Sequence, residues 1–220
     1  MSDSAVMPAL AALKEAGIVL KRSEAEIIAD LQAFGTLLEK WQKAQNLVSR
    51  ETLPAFWSRH VADSLQLLSH LPDRCLHIVD LGSGGGLPAI PLAIALKGPE
   101  VRLSLVEANS RKCAFLRTVT RELDLAVHVF NKRIDANVSR ETGPADVVTA
   151  RALAALPELL GLVVHFWRDG TVALLHKGRE HVEEIAQAGA VWDFDVVTSP
   201  STVDRTGAVL KISNLRRKTG

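Results

Sequence analysis

The stretch HIVDLGSGGGLPAIPLAIAL, from His77 to Leu96, sets the tightest limit on what this chain can become. Four of the five residues from Gly82 to Gly86 are glycine. Ordering them is costly, because glycine loses more backbone freedom on folding than any other residue. A short apolar run leads into the glycines. Pro88 follows them at a first-helical-turn position, where its missing N–H has no partner to lose. Strand, bare turn and helix N-terminus, in that order, bring a ligand to the carboxyl end of a strand in a parallel sheet flanked by helices.

The rest of the chain repeats that grammar. VRLSLVE, AVHVFNKR, ADVVTAR and GTVALLHKG read as further strands. Helical stretches are expected after Asn109 or Ser110, from about Pro157 to Trp167, and from Glu180 to Ala188. FDVVTS and AVLKIS have only the turn-rich SPSTVDRTG between them, so they should pair antiparallel. The expected fold is a doubly wound, Rossmann-like α/β domain over residues 72–220, mostly parallel, with an antiparallel C-terminal strand pair. Residues 1–71 read as a helical extension packed on that core. Ser23 and Glu26 have capping-box spacing, with Ile27, Leu31, Phe34, Leu38 and Trp41 on one face; Gly17 stops a shorter helix before it. A third helix is expected from about Pro54 to Leu71, with Phe56, Val61, Leu65 and Leu68 turned inward.

With 220 residues, 47% of them hydrophobic, the chain can bury a sizeable core. The first residues lack the basic start of a signal peptide, and the longest apolar run is about half a membrane span. Cys75 and Cys113 share no metal or redox spacing. A soluble, cytoplasmic, monomeric protein without disulfides or metal is expected. The net charge of +1 excludes a generic polycation, yet basic residues gather from Arg111 to Arg140 and again at Lys211, Arg216, Arg217 and Lys218, where they can attract phosphates. With no tyrosine and four dispersed tryptophans, no aromatic platform for single-stranded RNA is visible.

The ligand can be narrowed further. A P-loop needs Gly-Lys-Ser/Thr, which is missing, and the dinucleotide fingerprint needs a third glycine where Leu87 stands. The chain has D-x-G-x-G-x-G instead: Asp80, Gly82, Gly84 and Gly86. A carboxylate repels a pyrophosphate but suits a cation. S-adenosylmethionine carries a sulfonium and an ammonium. Glu107, ending the second strand, can accept from ribose hydroxyls, and Ile134 with Asp135, after the third, can meet the adenine edge. A nicotinamide-dependent oxidoreductase shares Glu107 but suits neither Asp80 nor Leu87.

DLGSGGGLPAIPLAI, EANSRKCAFLRTVTREL, DVVTARALAAL, RHVADSLQLL and NLVSRET together resemble the bacterial small-subunit rRNA guanine-N7 methyltransferases, the glucose-inhibited division protein B family. The resemblance covers nearly the whole chain. It implies an S-adenosylmethionine methyltransferase fold and methylation of guanine N7 in 16S rRNA, at position 527 in the 530 loop, on free RNA or the small ribosomal subunit. It implies cofactor contacts at Gly82, Leu87, Ile134, Asp135 and Arg151. Arg151 would position cofactor or substrate, although the residues alone allow an ion pair with a nearby acid. Lys177 is a second catalytic candidate and, with Arg133, a candidate for RNA contact; His60 and Asp63 are candidates for substrate contact or for closing over the cofactor. No general base is expected, because N7 carries a free lone pair. A small-molecule methyltransferase and a non-catalytic RNA-binding assembly factor are the alternatives.

Overall fold

A computed structural model describes residues 6–15, 17–49, 51–204 and 206–219; Arg50 of NLVSRET and the first five residues of the extension lie outside them. The strands are β1 (His77–Leu81), β2 (Arg102–Glu107), β3 (Val127–Asn131), β4 (Val147–Arg151), β5 (Val172–Lys177), β6 (Trp192–Pro200) and β7 (Ala208–Arg217). They form one sheet in the order β3-β2-β1-β4-β5-β7-β6. Strands β1 to β5 are parallel, and β7 runs antiparallel to both β5 and β6. Strand β1 has β2 on one side and β4 on the other, so the order reverses there. The glycine turn that follows β1 therefore sits at the switch point, where such sheets bind ligands.

The helices are α1 (Val6–Glu15), α2 (Glu24–Gln42), α3 (Asp63–Leu65), α4 (Ala89–Ala95), α5 (Ser110–Glu122), α6 (Ala136–Thr142), α7 (Leu156–Val163) and α8 (His181–Gly189). Local chemistry fixes several ends. Ser23 and Glu26 close a reciprocal capping box on α2, and the Asn109 side chain accepts from the N–H groups of Arg111 and Lys112. Gly17, at φ +76°, ends α1 with its N–H on the Lys14 carbonyl. The short helix α6 has no counterpart in the sequence reading.

The sheet's two faces bury different helices, and strand alternation sorts the residues between them. Ile78, Leu105, Val129, Val147 and Leu174 pack with α1, α2, α4, α5 and the 53–70 segment. Val79, Val106, Val148, Ala173 and Leu175 pack with α6, α7 and α8. The N-terminal helices thus share one core with the first face; the ring centroids of Phe34 in α2 and Phe115 in α5 lie 6.4 Å apart.

The segment expected as one helix from Pro54 to Leu71 is a composite. Leu53–Ala55 is a 3₁₀ turn, Phe56–Ala62 is π-helical, α3 is a single α turn, and Gln66–His70 is 3₁₀ again. The four predicted inward residues are all buried. Their spacing of five, four and three positions follows the π, α and 3₁₀ periods in turn. Changing the winding keeps one apolar stripe on the core.

Candidate functional site

Three of the four clustered glycines make room for the protein itself. Gly82 (φ +66°) and Gly86 (φ +83°) have conformations that L side chains rarely adopt; a Cβ on them would lie 2.6 Å from Leu153 Cδ1 and Ile90 Cγ1 respectively. At Gly85 a Cβ would stand 2.8 Å from the Leu47 carbonyl oxygen. Leu47 belongs to a strap pinned by Gln42, whose Oε1 accepts from the Leu47 and Val48 N–H groups and whose Nε2 donates to the Val48 carbonyl. Gly84 (φ +55°) differs: a Cβ there meets nothing closer than the Gly82 carbonyl oxygen at 3.6 Å. Only this glycine leaves an open cradle.

Carboxylates surround the turn. Asp80 is 1% exposed; its Oδ1 accepts from Thr149 Oγ1 at 2.7 Å, and its buried Oδ2 has no hydrogen-bond partner. Burial pushes its pKa up to about 6, and the nearby Glu107 adds to the shift. Both Glu107 oxygens hold backbone: Oε2 accepts from Gly84 N (2.9 Å) and Oε1 from Asn109 N (2.7 Å). Each retains a lone pair for a hydroxyl. Asp135 lies beyond β3 as the N-cap of α6, its Oδ1 accepting from Asn137 N and Val138 N. The Val138 N–H bond leads in holding its pKa below the usual value. Ile134 is half-buried, Arg133 is exposed, and Leu87 is buried against the first core. The unpartnered Asp80 oxygen, the Gly84 cradle and the spare Glu107 lone pairs fit a nucleoside with a cationic tail.

A second cluster lies beyond β4 and β5. Arg151 and His176 are register partners on these strands, so their side chains stand side by side. Arg151 Nη1 is 3.4 Å from Asp63 Oδ2, outside hydrogen-bond geometry, and Nη2 donates to the Arg59 carbonyl at 3.1 Å. His176 Nε2 donates to the Asp63 carbonyl at 3.0 Å, and Asp63 Oδ1 accepts from Ser201 Oγ at 2.9 Å. Burial draws both the imidazole and the guanidinium below their ordinary pKa values. Arg151 is thus ion-paired, the arrangement its sequence context left open. Ala152 (φ +50°) turns the chain next, so that Arg151 and Ala152 line a cavity of about 270 Å³ while Leu153 packs on Gly82. One short segment joins this cavity to the glycine turn.

Two candidates are engaged by the protein itself. Lys177 is not a free rim cation: its Nζ lies 2.5 Å from Glu184 Oε2 in α8 and donates to the Ala154 carbonyl. Alternation along β5 puts it on the opposite face from His176. His60 is buried, with Nε2 2.9 Å from Thr52 Oγ1 at the end of the strap and Nδ1 unpartnered. Burial, reinforced by Arg151, lowers its pKa to about 4, so it is neutral at pH 7. His60 and Asp63 therefore serve different neighbours, the strap and the β4–β5 cluster. The C-terminal cations lie away from the site. Arg217 stacks over Trp192 and Lys218 pairs with Asp193, at the opposite end of the sheet from the glycine turn. Among the described residues no group of His, Cys, Asp and Glu could hold a metal ion, and no helix is long and apolar enough to cross a membrane.

Solved structures share this architecture. The ribosomal protein L11 methylase of Lactobacillus delbrueckii subsp. bulgaricus superposes with a TM-score of 0.56 at 17% identity, covering 74% of this chain and 80% of that one. An O-methyltransferase from Bacillus cereus in complex with SAH gives 0.54 at 15% identity, covering 92% and 96%. At such identities the likeness shows the fold. Sequence decides the family: the model for rRNA small subunit methyltransferase G matches residues 27–209. The chain belongs to this family. Proteins named ribosomal RNA small subunit methyltransferase G from Bartonella henselae (43% identical over 192 residues, 87% of this chain and 88% of that one) and Cereibacter sphaeroides (44% over 187 residues, 84% and 89%) are close relatives.

In this member of the methyltransferase G family, sequence reasoning missed Thr149, His176, Arg59, Ser201 and Asp204. Strand register could have found the first two, since Thr149 stands opposite Asp80 and His176 opposite Arg151. The others come from a helix and a hairpin turn far apart in sequence, and no local signal joins them.

Proposed function

We propose that this protein transfers the methyl group of S-adenosylmethionine to N7 of guanine 527 in the 530 loop of 16S rRNA, as a cytoplasmic monomer. The observation that carries the reading is the row of polar strand tips on one sheet face, Asp80, Glu107, Thr149, Arg151 and His176, in a chain of the methyltransferase G family. Asp80 would face the cofactor's cationic end, Gly84 would leave room beside the backbone, and Glu107 and Asp135 would accept from ribose and adenine. When bound, S-adenosylmethionine supplies an electrophilic methyl group.

N7 offers a free lone pair, so no side chain has to remove a proton before transfer. The task of these residues is alignment, holding the nucleophile in line at near-attack distance, which contributes several powers of ten. Asp63 and the Arg59 carbonyl fix the Arg151 guanidinium from behind, leaving its Nη1 without a well-formed bond. Ligand binding would draw that donor, buried beside Asp63 in the free protein, to the cofactor carboxylate or guanine O6.

The deciding experiment is labelled methyl transfer to rRNA lacking the modification, with the product nucleotide located by mass spectrometry; 7-methylguanosine in the 530 loop is expected. Arg151→Lys keeps the charge but loses the fork. It should weaken S-adenosylhomocysteine binding or slow single-turnover transfer about tenfold, the loss of roughly one charge-assisted hydrogen bond. Unchanged values for both would remove Arg151 from the site.

A further inference from the structure

The cavity beyond β4 and β5 holds two guanidinium groups, Arg59 and Arg151, in one space of about 270 Å³. Each cation raises the cost of the other, and Arg59 contributes to the lowered pKa of Arg151. Their countercharges are unequal in quality. Asp63 is buried and engaged by Ser201, His176 and Arg151. Asp204 is on the β6–β7 turn, and its Oδ2 meets Arg59 Nη2 in a single contact at 3.2 Å, with the Arg59 side chain 50% exposed. The other Asp204 oxygen is committed to its own turn, accepting from Thr206 N and Oγ1.

We propose that this cavity is a phosphate subsite for the RNA backbone, in which Asp204 occupies Arg59 until a phosphate displaces it. The inference rests on the RNA substrate proposed above. A phosphate presents several oxygens to a guanidinium and bonds it in bidentate fashion, whereas Asp204 offers one oxygen at the edge of solvent. Exchange trades a weak exposed pair for a stronger one and relieves the repulsion between the two arginines. The space equals several water volumes of about 30 Å³ each, room for a phosphate group. Arg59 sits on the π-helical turn, whose wider winding presents it beside Arg151 rather than along the buried stripe. Ala152 connects the cavity to the glycine turn, so a phosphate held here anchors the strand next to the cofactor.

The test measures the affinity of unmodified, transcribed 16S rRNA as a function of KCl for the wild type, Arg59→Ala, Asp204→Asn and the double variant. The asparagine amide of Asp204→Asn keeps an acceptor for Thr206 while releasing Arg59. Asp204→Asn should tighten RNA binding about threefold to tenfold; Arg59→Ala should weaken it about tenfold and reduce the salt slope by about one. In the Arg59→Ala background, Asp204→Asn should change nothing. Equal tightening in both backgrounds would mean that Asp204 acts only through overall surface charge, and would overturn the subsite. So would an unchanged salt slope in Arg59→Ala, with S-adenosylhomocysteine affinity confirming a folded protein. Arg59→Lys should restore the slope. Inorganic phosphate should compete with the RNA better than chloride does at equal ionic strength in the wild type, and no better than chloride in Arg59→Ala; equal competition by the two anions in the wild type would overturn the subsite. Wild-type protein that forms no 7-methylguanosine would sink the proposed function, whereas active protein without this coupling would sink the subsite alone.

Discussion

Gly84→Ala should leave the protein folded and weaken S-adenosylhomocysteine binding about ten- to hundredfold. The added methyl group meets no protein atom closer than 3.6 Å, so its only cost to the free protein is the left-handed backbone, about 1–2 kcal/mol. In the cradle, however, the methyl group occupies space a ligand would fill, and overpacking of about 1–3 kcal/mol corresponds to that range of affinity. Gly86→Ala should show the opposite pattern. Its Cβ would stand 2.6 Å from Ile90 Cγ1 at φ +83°, so strain and overpacking add to about 3 kcal/mol, a fall in melting temperature of roughly 6–12 °C. Calorimetric melting and titration of both variants separate the roles. Equal losses of stability would mean that Gly84 serves the fold alone, and unchanged affinity in Gly84→Ala would place the ligand elsewhere.

That contrast also shows what could be read in advance. The alternation of Ile78 and Asp80, Leu105 and Glu107, Thr149 and Arg151, Leu174 and His176 already places the strand-borne acids and bases of the site on one face. It puts Lys177 on the other, where Glu184 of α8 takes it. The mostly parallel sheet and the antiparallel end strands were legible in the succession of strands and helices, whereas the order of the strands in the sheet was not. The irregular winding from Leu53 to His70 was present in the spacing of Phe56, Val61, Leu65 and Leu68, but a single helical period obscured it. The pairing of Arg59 with Asp204 was not legible. A turn between β6 and β7 docks on the extension through Gln66, Asp63 and Arg59, by polar bonds that leave no periodic trace. Bareness alone did not say what approaches the glycine turn: a Cβ on Gly82, Gly85 or Gly86 would meet Leu153, Leu47 or Ile90, and one on Gly84 meets only the Gly82 carbonyl oxygen at 3.6 Å.

Asp80→Asn should stabilise the free protein and weaken cofactor binding, each to an extent set by pH. Burial raises the Asp80 pKa from 3.8 to about 6, so the folded state holds this proton more tightly than the unfolded chain. Stability from this group is therefore complete below about pH 4, declines as pH rises through 6, and is level above it. The deficit at pH 7 is about 3 kcal/mol, two pKa units at 1.36 kcal/mol each. Asparagine keeps an acceptor for Thr149 and removes the buried charge, so the variant should melt roughly 6–12 °C higher at pH 7 and almost unchanged at pH 4. S-adenosylhomocysteine retains an ammonium group, and losing its anionic partner should cost about 1.5–3 kcal/mol, tenfold or more in affinity. Wild-type affinity should climb between pH 5 and 7 as Asp80 ionises, while the variant's stays flat over that window. A variant that melts no higher at pH 7, or a wild-type affinity indifferent to pH, would show that the Asp80 carboxylate neither strains the free fold nor meets a cation.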